Sequence, residues 1–243
     1  MKEIPLTYLA ASPHRVAHVW EERSVLHLLT SVNFSKSPKL FGTSKNQQSL
    51  FFVMELIVGA PLHLHLPISL EDARNCFVQI LDIVEFLHNH KIIHKDIKLS
   101  NFIVSDDTSG PIRICDFGLS VILPNEKLYG CICGTFHTKA PESTISFAQD
   151  FYSLGILLYE LLTPLSVVDS PSLDLTSIEH LPDAVDLITQ LTEESSSSRL
   201  QEFSKIRKHA FLKDIPKTPM KVRNSDLAYQ FIFGRPKTVL DDF

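Results

Sequence analysis

The sequence predicts an α+β fold: a small N-terminal part with a helix and strands, then a larger, mainly helical part. Three observations predict it. Residues 38–56 contain apolar runs of strand length, residues 70–88 repeat apolar side chains at helical spacing, and residues 150–163 are nearly all apolar. A chain of 243 residues can bury a sizeable core as one domain or two small lobes. Its 44% hydrophobic and 21% charged shares are those of an ordinary globular protein.

Residues 17–30 read as a helix, with Val19, Val25, Leu26 and Leu29 on one side and Glu21, Glu22 and Arg23 on the other. Residues 38–56 read as two strands around a polar turn at 44–48. Gly59-Ala60-Pro61 is expected to break regular structure. His63-Leu64-His65 alternates like a strand, and two histidines alone are a weak metal signal. In the helix over 70–88, Ala73, Phe77, Ile80, Leu81, Val84 and Leu87 form the buried stripe. Ser69 is the expected N-cap, with Asp72 three residues on. Residues 102–104 and 112–115 read as a hairpin across a turn that explains Asp106 and Asp107. The helix over 150–163 is too apolar to lie on a surface, and Pro164 ends it. Residues 165–180 read as irregular, followed by two short helices near 182–192 and 201–210. The serines at 195–198 form an exposed link between them.

Composition excludes several classes. The net charge of −5 gives no support for a nucleic-acid partner. No apolar run reaches the ~20 residues that cross a bilayer, and no signal-peptide pattern opens the sequence, so no membrane partner is expected. Four cysteines in this length do not make a disulfide framework, so a reducing compartment is expected, cytoplasmic or nuclear. Cys131-Ile132-Cys133 lacks the further ligands of a zinc site.

The chemistry concentrates in His94-Lys95-Asp96-Ile97-Lys98-Leu99-Ser100-Asn101 and in Asp116-Phe117-Gly118, whose acid lies twenty positions after Asp96. Ala140-Pro141-Glu142, Asp150-Phe151-Tyr152-Ser153-Leu154-Gly155 and Arg199 follow in order. In that order and spacing these motifs resemble the catalytic part of a eukaryotic-type serine/threonine protein kinase. A single triplet arises easily by chance; the ordered set does not. The resemblance covers residues 1–212. It implies a two-lobed kinase-like fold, with a truncated small-lobe sheet in 1–54, a hinge at 55–62, a mainly helical large lobe in 63–212 and a tail over 213–243.

The resemblance also implies roles. Asp96 would orient a protein hydroxyl and take its proton, and Lys98 would steady the moving phosphoryl group. Asn101 would complete the catalytic set and, with Asp116, hold Mg²⁺, a hard ion that takes oxygen ligands. Lys2, twenty positions before Glu22, would pair with it and hold the phosphates of ATP. Met54 would be the gatekeeper. Glu55 and Leu56 would begin an adenine-contacting hinge, and Ile103 is assigned to the same nucleotide site. Thr135 would bridge Asp96 and Lys98. Leu26, Leu40, His94 and Phe117 would align as an apolar column between the lobes, so that His94 is a packed structural histidine. Glu142 and Arg199 would form a buried ion pair.

The pattern departs from the family in three places. No G-x-G-x-x-G occurs in the 243 residues, so the expectation is either a shortened product or a divergent kinase with weakened nucleotide binding. Lys95 stands where an arginine is usual, and lysine cannot bind a phosphate bidentately. Cys131 stands at the usual activating phosphosite. Packing or a regulatory protein partner is therefore expected to set the segment from Asp116 to Glu142. The predicted partners are ATP and a protein substrate with Ser or Thr. The alternative reading is a weak or inactive pseudokinase acting as a binding scaffold.

Overall fold

The computed structural model describes residues 1–105, 112–123, 128–129, 140–142, 144–163, 173–213 and 215. The chain opens with strand β1 (Lys2–Pro5), a short helix α1 (Leu6–Ala10) and helix α2 (Pro13–Ser31). Helix α2 starts four residues before the predicted point. Ser12 caps it by accepting from the His14 amide, and Pro13 supplies a preset φ where no amide donor is needed. Strands β2 (Leu40–Lys45) and β3 (Ser49–Met54) form the predicted pair. With β1 they make an antiparallel sheet in the order β1-β3-β2, in which Lys2 sits opposite Phe52.

Residues Gly59–Pro61 are a strand, β4, rather than a break. It pairs with β6 (Phe102–Ser105), which pairs in turn with β7 (Ile112–Ile114), the predicted hairpin. Glycine is needed at 59 because a Cβ there would stand 2.2 Å from the Val104 carbonyl oxygen. The following residues, Leu62–His65, form a 3₁₀ turn and not a strand-like alternation.

Helix α3 (Leu70–Asn89) carries the predicted cap, with Ser69 Oγ accepting from the Asp72 amide at 3.1 Å. Its stripe of Phe77, Ile80, Leu81, Val84 and Leu87 is fully buried. Strands β5 (Ile92–Ile93) and β8 (Val121–Ile122) pair across the loop that holds Asp96. Strand β9 (Leu128–Tyr129) pairs with β10 (Thr144–Ile145). Helix α4 (Ala148–Leu162) lies inside the larger part, with twelve of its fifteen residues buried. Helix α5 (Pro182–Leu191) packs on it where Gly155 leaves room. A Cβ at that position would stand 2.6 Å from Thr192. Helix α6 (Phe203–Lys208) follows the exposed serine link. One continuous core runs from Ile4 and Leu26 through Phe117 to Leu158 and Leu187.

Glu160 on α4 has its carboxyl pushed up to about 7 by burial. A raised folded value favours the protonated form in the fold. That contribution is full below the unfolded value near 4.5 and is lost as pH rises through about 7. Glu160→Gln is therefore expected to stabilise the domain by about 1–3 kcal/mol at pH 8 and by much less at pH 5, as read from urea melts.

Candidate active site

The loop between β5 and β6 is fixed from below. Asp150, wholly buried on α4, accepts the backbone amides of His94 and Lys95, each at 2.9 Å. His88 Nε2 lies 2.9 Å from the same carboxylate. Burial works to raise the Asp150 carboxyl, but the hydrogen bond from His88 and the backbone amide of His94 outweigh it and hold the group below its ordinary range. Lys95 adopts φ 67°, a left-handed conformation that disfavours a side chain, and Asp150 holds it there. Sequence reasoning found Asp150 as a motif residue but not its partner His88, which lies 62 positions away.

On that base, two groups converge on one oxygen of Asp96. Lys98 Nζ lies 2.8 Å from Oδ2, and Asn101 Nδ2 donates to Oδ2 at 3.0 Å and to the Asp96 carbonyl at 2.8 Å. Both of these bonds use the Asn101 nitrogen and not its amide oxygen. Asp96 and Asn101 are buried; Lys98 is partly exposed. The loop is tied to Asp116 through Cys115, whose amide donates to the Asn101 carbonyl at 2.9 Å.

Asp116 itself stands at φ 60°, which aspartate tolerates better than most residues, and accepts the Gly118 amide at 3.2 Å. Its carboxylate is half exposed and lies 3.9 Å from Lys2 Nζ. Lys2 pairs with Glu22 on α2, at 2.6 and 2.9 Å from its two oxygens. Burial pushes the Glu22 carboxyl up, and the Lys2 ammonium only partly opposes this. The predicted spacing of twenty thus corresponds to an ion pair between strand β1 and helix α2.

Lys2, Glu22 and Asp116 line a cleft of about 370 Å³; Asp96, Lys98 and Asn101 are not among its lining residues. Lys2, Glu22, Met54, Glu55, Ile103 and Asp116 are all in its wall. Leu56 is not: it is 63% exposed, and Ile57 lines the cleft in its place. Pro38 and Cys115 also line the cleft and were not foreseen. Burial pushes the Cys115 thiol up to about 12, so it is a packing group at neutral pH.

Phe117 is buried against His94, with ring centroids 5.3 Å apart, and Leu26 lies in the same core with Leu40 packed on it. Burial holds the His94 imidazole below its ordinary range, hence neutral, in keeping with a packed structural histidine. Glu142 and Arg199 meet bidentately, at 2.7 and 2.9 Å, with the Arg199 side chain fully buried. Cys131, Cys133 and Thr135 lie outside the described residues, as does the tail beyond residue 215.

A family profile described as a protein kinase domain matches residues 1–230. The chain belongs to the protein kinase family. The domain is 28% identical over 235 residues to serine/threonine-protein kinase PLK4 of Xenopus tropicalis, covering 86% of this chain and 24% of that protein. It is 30% identical over 169 residues to sperm motility kinase 3A of Mus musculus, covering 65% of this chain and 33% of that protein. The chain thus spans about a quarter to a third of the length of these relatives. No helix among the described residues is long and apolar enough to cross a membrane.

Proposed function

We propose that this kinase domain is an active serine/threonine kinase that moves the γ-phosphoryl group of ATP to a protein hydroxyl. The observation that carries this reading is the convergence of Lys98 and Asn101 on Asp96 Oδ2. A scaffold has no use for a carboxylate, a cation and an amide held together in a buried loop. Asp96 orients the incoming hydroxyl and accepts its proton, a contribution typically of ~10²–10⁴-fold. Lys98 presents a fixed cation where negative charge spreads in the transition state.

The donor set suits magnesium. The Asn101 amide oxygen and the Asp116 carboxylate are hard oxygen ligands, and the Cys115 amide, next to Asp116, ties the two segments by donating to the Asn101 carbonyl. Bound Mg-ATP supplies the phosphoryl group and the charge that draws electrons from it. Lys2, held by Glu22 and facing Asp116, is the cation for the phosphates, and the wall formed by Met54, Glu55 and Ile57 receives the adenine end. Serine and threonine are the proposed acceptors because Lys98 and Thr135 match the pattern of kinases for those residues.

Thermal shift tests nucleotide binding first. At a hundred times its dissociation constant a ligand adds about 2.7 kcal/mol, or roughly 5–10 °C for a domain of this size. Mg-ATP is expected to raise Tm by that amount, and Asp116→Asn or Lys2→Met to remove most of the rise. Transfer of radiolabel to a generic basic protein then tests catalysis. Binding without transfer would favour the scaffold reading; no binding at millimolar nucleotide would remove the ATP site altogether.

A further inference from the structure

Glu55, in the cleft wall, belongs to a clamp that the proposed catalytic residues do not explain. Arg113 is a charged residue in the middle of β7, with its side chain 5% exposed. Its guanidinium forks onto Glu55, with Nη1 at 2.8 Å from Oε1 and Nη2 at 3.0 Å from Oε2. The same Nη2 donates to the Ser37 carbonyl at 2.9 Å. Glu55 in turn accepts the Lys39 amide on Oε2 at 3.1 Å, and its own amide donates to the Lys39 carbonyl at 2.8 Å. The backbone repeats the link one residue on, where the Ile114 amide donates to the Lys36 carbonyl at 2.8 Å. The hydrogen bonds from Arg113 hold the Glu55 carboxyl below its usual range, so the pair is ionic at neutral pH.

Three segments meet at this one guanidinium, and each positions part of the cleft. Glu55 begins the stretch that lines the adenine end. The loop at 36–39 leaves α2, which carries Glu22. Strand β7 leads within three residues to Asp116, and opposite Arg113 in the ladder is Ile103, also in the cleft wall. A buried arginine in a strand needs this many acceptors, because an unpaired charge there would cost several kcal/mol. Lysine could not replace it, since a point cation cannot fork onto a carboxylate and reach a third oxygen.

We infer that Arg113 is a positioning residue for the nucleotide cleft: through Glu55 and Ser37 it fixes the hinge against α2 and β7 in the arrangement that already brings Lys2 to Glu22. The inference concerns the nucleotide affinity of the site proposed above, and rests on that reading. It has its own observable in the hinge backbone, so the two can fail separately.

The test uses the full chain with Arg113→Met, Glu55→Gln and the double variant. Binding of Mg-ATP is measured by titration calorimetry, turnover by peptide phosphorylation, and hinge order by hydrogen exchange at the amides of residues 54–58. A tenfold weaker Kd corresponds to about 1.4 kcal/mol, within the range for coupled neighbours. Each single variant is expected to raise the Kd about tenfold and to make the hinge amides exchange faster, and Arg113→Met is expected to move KM far more than kcat. The double variant is expected to be no worse than either single one. Arg113→Lys is expected to recover only part of the affinity. A merely structural role would lower Tm while leaving the Kd, the KM and hinge exchange unchanged, and would overturn the inference. Faster turnover on breaking the clamp would overturn it too, since the clamp would then restrain the enzyme. If the unaltered chain binds no nucleotide, hinge exchange still decides: acceleration in Arg113→Met supports the clamp and an unchanged rate rejects it.

Discussion

Asp96→Asn is expected to reduce phosphoryl transfer by about 10²–10⁴-fold while leaving nucleotide binding within a factor of two or so of the unaltered chain. The substitution is nearly isosteric. The amide can keep one acceptor for Lys98 and Asn101, which stand 2.8 and 3.0 Å from Oδ2, so the loop is expected to hold its shape. What is lost is the negative charge that orients a hydroxyl and takes its proton. The fall therefore belongs in kcat. Radiolabel transfer to a basic protein, run beside a thermal shift with Mg-ATP, separates the two effects. An equal fall in both would mean that Asp96 serves the fold or the nucleotide and not the chemistry.

Arg199→Met is expected to destabilise the domain by about 3–5 kcal/mol, because it strands the Glu142 carboxylate in a largely buried site. Heat melts should show this as a drop of roughly 6–20 °C for a chain of this length. Arg199 does more than pair with Glu142. It also donates to the carbonyls of Ala148, Glu193 and Glu194, and its guanidinium lies 5.0 Å from the centre of the Tyr152 ring. Replacing both partners by apolar residues, often neutral for a simple buried pair, is for this reason expected to restore only part of the loss. Full recovery in Glu142→Leu/Arg199→Met would show that the three carbonyl bonds carry little. A drop below about 1 kcal/mol in the single variant would show that the site rehydrates freely.

The elements most legible in the sequence are those whose information is local. Helix α3 announces itself through Ser69, Asp72 and an unbroken apolar stripe, and the capping bond is present at 3.1 Å. The loop from His94 to Asn101 is legible because phosphoryl transfer constrains residue types at short spacing. Lys2 and Glu22 are legible through one interval, and they stand 2.6 Å apart. Less legible are the features set by partners distant in the chain. Gly59 and Pro61 are turn residues by propensity, yet the close approach of Val104 selects glycine at 59 and makes the segment a strand. Propensity there yields to packing. The five residues of α1 are too few for a periodic signal. The start of α2 lies at Ser12-Pro13, a cap followed by a preset φ, whereas the apolar spacing begins only further along the helix. From its sequence Glu55 is expected only as the start of the hinge. Its side chain pairs with Arg113, 58 positions away, and nothing local to either residue marks that pairing.

The claim on which the account depends is that the loop at 94–101 and the acid at 116 face one metal-bound triphosphate in the cleft. Crystals grown with Mn²⁺ and a non-hydrolysable ATP analogue test it most directly, because manganese scatters anomalously and takes the same oxygen ligands as magnesium. The account predicts an anomalous peak touched by the Asn101 amide oxygen and the Asp116 carboxylate, with the adenine against Met54, Glu55 and Ile57. A metal that contacts neither side chain, or a nucleotide seated outside this cleft, would contradict it.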